Sequence, residues 1–532
     1  MHQTGTRNEQ HGIEAIGLAG TGKVFWNLAE AALCERSIAR GESHMSAFGA
    51  LVADSGAPAG RSPEDRFIVR DEASEADVWW DNVNALTRET FEQLKADALA
   101  HAGGRTLFAQ DLEAGADPAF RTPVRVFTEH AWQALFILDL LHRPDSAELA
   151  TFVPELTVLC LPSFRTEPDR HGVRSRTVIA CDLAGGLVLI GGTLHAGEMA
   201  KAIFSVLTYT LPARGVLPLH AAANMGEAGD VALFIGESGA GKTALAADAT
   251  RLLIGDDETG WSRTGVFNVE NGCCVRTEGL AAAEPALAAA AHQFGAVLEN
   301  VALDGDTRLP MFDAPARAEG ARAVFPLAAL PHAAPEARGA APRHLFLLVQ
   351  DPHGVLPPLA RLTPAQALYH FLSGYTAGPT DAAEPEVRFS AGFSGSLLLR
   401  HPSTYGRQLR ELIGARDVEC WMVNTGWTGG KAGTGRRMPI EVTRHLVAAV
   451  LEDRLMEAEW RTDPHFGFAV PMAVEGVDSR LLDPARGWAS RMDYAMTARR
   501  LVSLFSDNFA RFENAVDDEV RHAQPGMAIA AE

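Results

Sequence analysis

The sequence predicts an α/β protein of two domains. A mixed α/β domain spans residues 1–214, and a P-loop-containing mononucleotide-binding α/β domain spans 215–532. Three observations carry this. A chain of 532 residues can bury more than one core. Its 47% apolar and 21% charged residues are the balance of an ordinary globular protein. From Gly215 onward the texture changes to strand–loop–helix units with glycine at the joints, whereas the residues before it mix helical periodicity with short β-rich runs.

In the first domain the periodicity predicts helices over 89–101 and 131–142, and strands over 67–69, 124–127 and 177–180. The most apolar stretch, 183–194, is too short to span a bilayer, which takes about 20 residues. Past Gly215, residues 231–235 predict a buried strand, followed by a glycine-rich loop and an alanine-rich helix. A second strand covers 252–254 and ends in Gly255-Asp256-Asp257. The alanine-rich run 279–297 predicts a helix, and 314–343, broken by Pro and Gly, a surface excursion. Residues 344–349 predict a strand and 444–455 a helix.

The formal charge of −20 argues against nucleic acid or an anionic membrane as partner, because such binding needs clustered Lys and Arg. Residues 1–12 are polar and lack the apolar core of a signal peptide. Six scattered cysteines form no C-x-x-C, so neither a disulfide framework nor a zinc site is suggested. A cytoplasmic protein with reduced thiols is expected, with small-molecule partners and as a monomer.

The chemistry sits in Gly236-Glu237-Ser238-Gly239-Ala240-Gly241-Lys242-Thr243, which fits G-x-x-x-x-G-K-[ST] at every fixed position. The glycines let backbone amides turn toward phosphate oxygens, and Lys242 supplies charge to the terminal phosphates. The Thr243 hydroxyl can ligate a divalent metal. An apolar strand before the loop and a helix-prone run from Thr243 and Ala244 onward are the context the motif requires. Such a loop also needs a carboxylate at the end of a neighbouring strand to organise the metal, and Asp256 and Asp257 stand at such an end. Taken alone, Asp-Asp after a strand is more often a turn or a helix cap, but paired with the loop the metal reading wins.

Further blocks occur in one order along the chain. They are Gly60-Arg61-Ser62-Pro63; Ile190-Gly191-Gly192-Thr193 with Gly197-Glu198-Met199 and Lys201; and His220 with Asn224. After the phosphate loop come Gly255-Asp256-Asp257-Glu258, Gly354-Val355-Leu356-Pro357-Pro358, His370-Phe371-Leu372-Ser373-Gly374 and Val423-Asn424-Thr425-Gly426-Trp427. With the loop, they resemble the ATP-dependent phosphoenolpyruvate carboxykinases over about residues 49–512. The resemblance implies a cleft between the domains in which oxaloacetate loses CO₂ and ATP phosphorylates its enolate. It also implies that Lys201, His220 and Asp257 hold Mn²⁺, and that Thr243 holds the Mg²⁺ of the nucleotide. Arg61 would bind the substrate carboxylate, and Arg322 would reach the transferring phosphoryl group. Glu284, Arg437 and Thr443 match positions that hold ATP or ADP. The chemistry agrees, since an enolate beside a polyphosphate needs several cations to offset it. On residues alone, Lys201 reads as a surface lysine with Glu198 as a salt-bridge partner, and His220 as a satisfied core histidine.

The departures from that family cluster on the substrate side. His195 stands where the family has a substrate-touching tyrosine, Leu194 replaces a tryptophan, and Ala200 replaces a lysine. Ala221, Ala222, Ala244, Arg276 and Gly392 also depart from the pattern. The segment 377–385 is shorter than the family's mobile lid. A shorter lid excludes water less well, so some enolate is expected to be protonated to pyruvate. Two other readings stand beside the carboxykinase: a paralogue that phosphorylates another small carboxylate, and a nucleotide-binding protein without turnover.

Overall fold

The computed structural model describes residues 2–56, 62–314, 320–378 and 386–526. The chain forms two compact units. One comprises Met1–Arg214 and Phe267–Arg338; the other comprises Gly215–Val266 and Gly339–Glu532. Phe267–Arg338 thus belongs to the same compact unit as the N-terminal residues.

The first unit is built on a mixed sheet. Its order is His2–Thr4, Lys23–Trp26, Leu107–Ala114, Thr122–Thr128, Leu156–Leu161, Leu187–Gly191, Val178–Asp182, Arg66–Arg70 and Asn84–Thr87. A second sheet runs Gly272–Arg276, Arg322–Pro326, Val297–Glu299, Leu51–Ala53 and Ser43–Met45. The helix Ala131–Leu140 is buried at every residue and packs against both sheets, which is why no polar face shows in its sequence. The helix Arg88–Ala102 starts where the Thr87 hydroxyl accepts the Thr90 amide. It turns Phe91, Leu94, Ala98 and Ala102 inward at helical spacing.

In the second unit the sheet runs Glu258–Trp261, Leu217–Met225, Val231–Ile235, Pro342–Val349, Glu419–Asn424, Leu359–Leu362, Ala469–Pro471 and Trp460–Thr462. The helix Pro364–Ser373 begins with a capping box between Thr363 and Gln366 and ends at Gly374 in the left-handed conformation.

The helix expected after the phosphate loop is present and short, Lys242–Ala246. Three expectations need correction. The helix expected over 279–297 is two short ones, Leu280–Ala283 and Pro285–Ala291, and then a strand, Val297–Glu299. Pro285 has no amide proton to continue the first helix and starts the second instead. The excursion expected over 314–343 contains the strand Arg322–Pro326, whose Ala323, Val324 and Phe325 are fully buried. The helix expected over 444–455 is Ile440–Leu451, which starts right after Pro439.

The helix Pro364–Ser373 also carries a stability prediction. His370 lies among the rings of Tyr369, Phe468 and Phe505, and neither ring nitrogen has a hydrogen-bond partner among the described residues. Burial pushes its pKa down to about 3. The unfolded chain, with a histidine near 6.5, therefore binds the proton first as pH falls. The contribution is whole above about pH 6.5 and is lost progressively down to about pH 3, at about 1.4 kcal/mol per pH unit. At pH 5 this amounts to about 2 kcal/mol. His370→Phe is expected to show a smaller drop in melting temperature than the unsubstituted protein between pH 7.5 and pH 5. Parallel drops would refute it.

Candidate active site

In the second unit the strand Val231–Ile235 lies between Leu217–Met225, antiparallel to it, and Pro342–Val349, parallel to it. Its carboxyl end delivers Gly236 to the phosphate loop. Gly239 and Gly241 take φ of 85° and 97°, left-handed values that a side chain would strain. The loop is held by residues just past the ends of the neighbouring parallel strands. Gln350 Nε2 donates to the Gly239 carbonyl at 2.7 Å, and Thr425 Oγ1 to the Ala240 carbonyl at 2.9 Å. The Ser390 hydroxyl donates to the Glu237 carboxylate. Arg444 directs Nε and Nη2, each at 3.2 Å, to the Ala244 carbonyl, a cation at the carboxyl end of the short helix.

Lys242, the first residue of that helix, is buried. Its Nζ lies 3.0 Å from the Gly236 carbonyl, 3.0 Å from His220 Nε2 and 3.3 Å from Asp257 Oδ1. His220 comes from the strand Leu217–Met225 and stands opposite Glu258 in the antiparallel pairing, so both side chains share one face. The Phe393 carbonyl, 3.1 Å from His220 Nδ1, takes that proton. On the other side of the ring Nε2 lies 2.7 Å from Asp257 Oδ1, and Lys242 Nζ stands beside both.

His220, Asp257 and Glu258 bring one ligand atom each to within 4.8 Å of one another. An imidazole nitrogen with carboxylate oxygens is a donor set that fits a transition metal. The neighbouring aspartate faces elsewhere: Thr243 Oγ1 donates to Asp256 Oδ1 at 2.8 Å, an all-oxygen pair that fits Mg²⁺. Arg437 places Nη2 3.5 Å from the Gly239 carbonyl and its guanidinium 5.8 Å from the Trp427 ring centre; burial lowers its pKa. Thr443 is buried in the helix Ile440–Leu451.

The first unit holds the other expected residues. The helix Gly197–Thr210 carries Glu198 and Lys201, both buried. Glu198 accepts the Ser62 amide at 2.7 Å and Arg66 Nη2 at 3.1 Å. It thereby ties the chain next to Arg61 to the start of that helix. Arg61 itself and residues 379–385 of the short segment lie outside the described residues. His195 is buried just before the same helix, with Nδ1 2.8 Å from Glu299 Oε1. Arg322 opens the strand Arg322–Pro326, and Glu284 sits at the junction of the two alanine-rich helices.

The phosphoenolpyruvate carboxykinase family matches residues 22–480 of this chain. Over its whole length the chain is 53% identical to the whole phosphoenolpyruvate carboxykinase (ATP) of Azorhizobium caulinodans and 53% identical to that of Rhodopseudomonas palustris. It is 52% identical, again over both full lengths, to that of Methylobacterium nodulans. The chain belongs to the phosphoenolpyruvate carboxykinase (ATP) family.

Sequence reasoning on this carboxykinase missed several residues that build the site. Gln350 and Thr425 carried no assigned role, although they directly follow the ends of the next two parallel strands of the sheet. Glu258 was read only as part of a motif, and its cross-strand position opposite His220 depends on sheet register. Ser390 and Glu299 meet their partners 153 and 104 residues away, which no local spacing announces.

Proposed function

We propose that the protein catalyses ATP-dependent decarboxylation and phosphorylation of oxaloacetate, giving phosphoenolpyruvate, CO₂ and ADP. The observation that carries this reading is the convergence of the phosphate-loop Lys242 with His220 and Asp257 in one buried cluster. A phosphate-binding cation and a metal-fitting pair at one point serve a reaction that brings a polyphosphate and an enolate together. Full-length identity to curated carboxykinases supports the same substrates.

The loop amides and Lys242 bind the β- and γ-phosphates. Thr243 and Asp256 would hold the nucleotide's Mg²⁺. His220 and Asp257, with Lys201 by family resemblance, would hold Mn²⁺. When bound, the metals would supply Lewis-acid charge that offsets the negative charge of the enolate and the phosphoryl group. Arg322 offsets charge on that group, Arg61 binds the substrate carboxylate, and His195 lies at the keto-acid end. Glu284, Arg437 and Thr443 hold the nucleotide. No helix of the described residues is long and apolar enough to cross a membrane. We also propose that it acts on small molecules as a cytoplasmic monomer, a reading in line with its acidic charge of −20.

The test is one reaction of oxaloacetate, ATP, Mg²⁺ and Mn²⁺ in which phosphoenolpyruvate, pyruvate and ADP are all measured. Phosphoenolpyruvate and ADP are expected in equal amounts, with a minor fraction of pyruvate. ADP released with another keto acid and no phosphoenolpyruvate from oxaloacetate would replace this reading with that of a paralogue.

A further inference from the structure

The loop before the helix Gly197–Thr210 is fixed from several sides. The Thr193 hydroxyl accepts the His195 amide at 3.1 Å, and Gln133 Nε2 donates to the Leu194 carbonyl at 2.9 Å. Glu299 Oε1 takes the His195 Nδ1 proton. Gly197 leaves room beside the ring, since a Cβ there would stand 2.9 Å from Nε2. His195 Nε2 makes no hydrogen bond among the described residues.

Glu299 is fully buried, and its Oε2 has no hydrogen-bond partner among the described residues. In the second sheet of this unit Glu299 is paired directly with Arg322, and Arg322 with Arg276. Directly opposed residues of antiparallel strands project from one face, so a carboxylate stands in a row with two guanidinium groups. A buried anion is costly to place, and in a row that serves anionic ligands it repels them. Its presence calls for a task that a neutral residue would not do. The contact that answers is the one to His195.

We propose that Glu299 is a positioning residue. It holds His195 through Nδ1, so that Nε2 is presented to the keto acid, and the His195–Glu299 pair sets selectivity at the substrate end. This rests on the carboxykinase reading for the identity of the substrate. The tyrosine that the resemblance puts at position 195 has a single polar atom at its tip and cannot be anchored from behind in this way. The histidine can, because its two nitrogens point apart.

The experiment is a double-substitution cycle on the full chain with Glu299→Gln, Glu299→Ala and His195→Phe. Two quantities are read: kcat and KM for oxaloacetate and for ATP, and calorimetric binding of oxalate, a planar dicarboxylate that mimics the enolate, with Mn²⁺ present. Glu299→Ala is expected to lower kcat/KM for oxaloacetate at least about 10-fold, with KM for ATP unchanged. Glu299→Gln keeps an acceptor for Nδ1–H and is expected to stay within about threefold. In the His195→Phe background Glu299→Ala should add almost nothing, in turnover and in oxalate affinity alike. Losses that multiply independently, or a matching rise in the ATP KM, would overturn the proposal, as would failure of the unsubstituted protein to bind oxalate. If Glu299→Ala does not fold, Glu299→Met, which fills the same space without an acceptor, takes its place in the cycle with His195→Phe. An unsubstituted protein that binds oxalate but forms no phosphoenolpyruvate would remove the carboxykinase reading, while the oxalate cycle would still decide the role of Glu299.

Discussion

Lys242→Ala is expected to lower the turnover of oxaloacetate and ATP by about 10³-fold, which is about 4 kcal/mol of transition-state stabilisation. The ammonium is buried against the Gly236 carbonyl, His220 and Asp257, at distances of 3.0–3.3 Å. A charge so enclosed by protein acts through a low dielectric and is worth far more than one in water. Removing it deprives the terminal phosphates of their fixed cation. It also removes the cation that stands beside both His220 and Asp257. Lys242→Arg is expected to lose about 10²-fold, because a planar guanidinium cannot take the place of a point charge between three acceptors. A coupled assay of phosphoenolpyruvate formation, with circular dichroism to confirm folding, measures both. Lys242→Ala turnover within about tenfold of the unsubstituted protein would dismiss the phosphate-loop assignment.

The phosphate loop was legible because its chemistry is local. Spacing alone placed Gly236 to Thr243, and the strand before it appears over the expected residues, Val231–Ile235. The strands around Phe67, Val126 and Leu345 were legible for the same reason, as short local β-rich runs. The failures share a cause as well. In 279–297 alanine propensity suggested one helix, but Pro285 divides it and the valine that follows joins a sheet. Arg322 to Pro326 looked like a surface segment because Pro and Gly flank it, yet pairing with Gly272–Arg276 draws it into the core. The family resemblance grouped Asp257 with His220, but the residues alone could not separate Asp256 from Asp257, for a geometric reason. Asp257 takes a φ of 66°, and this turn sends adjacent carboxylates to different partners, Thr243 and His220. The Glu299 contact depends on the register of three strands and was not legible at all.

That split makes a second large effect measurable. Asp257→Asn is expected to weaken Mn²⁺ binding by about 100-fold while leaving Mg²⁺–ATP binding nearly unchanged, and Asp256→Asn is expected to do the reverse. Asp257 stands against His220 Nε2, so an amide there removes one anionic ligand from the nitrogen-containing donor set. Asp256 instead accepts from Thr243 Oγ1, in a pair with oxygen donors only. Nitrogen donors favour Mn²⁺ over Mg²⁺, whereas carboxylate and hydroxyl oxygens accept Mg²⁺ readily. The orientation of His220 does not depend on Asp257, because the Phe393 carbonyl holds Nδ1 from the other side. The loss in Asp257→Asn can therefore be read as a lost ligand and not as a disordered imidazole. Electron paramagnetic resonance titration with Mn²⁺, with and without ATP, reads the first site without requiring turnover. Calorimetry with Mg²⁺–ATP reads the second. In crystals soaked with Mn²⁺, an anomalous peak is expected beside His220 Nε2 and should vanish in Asp257→Asn. Equal Mn²⁺ affinity in Asp257→Asn and the unsubstituted protein would show that the His220–Asp257 pair is not a metal site. The 2.7 Å contact would then be only the hydrogen bond of a buried histidine.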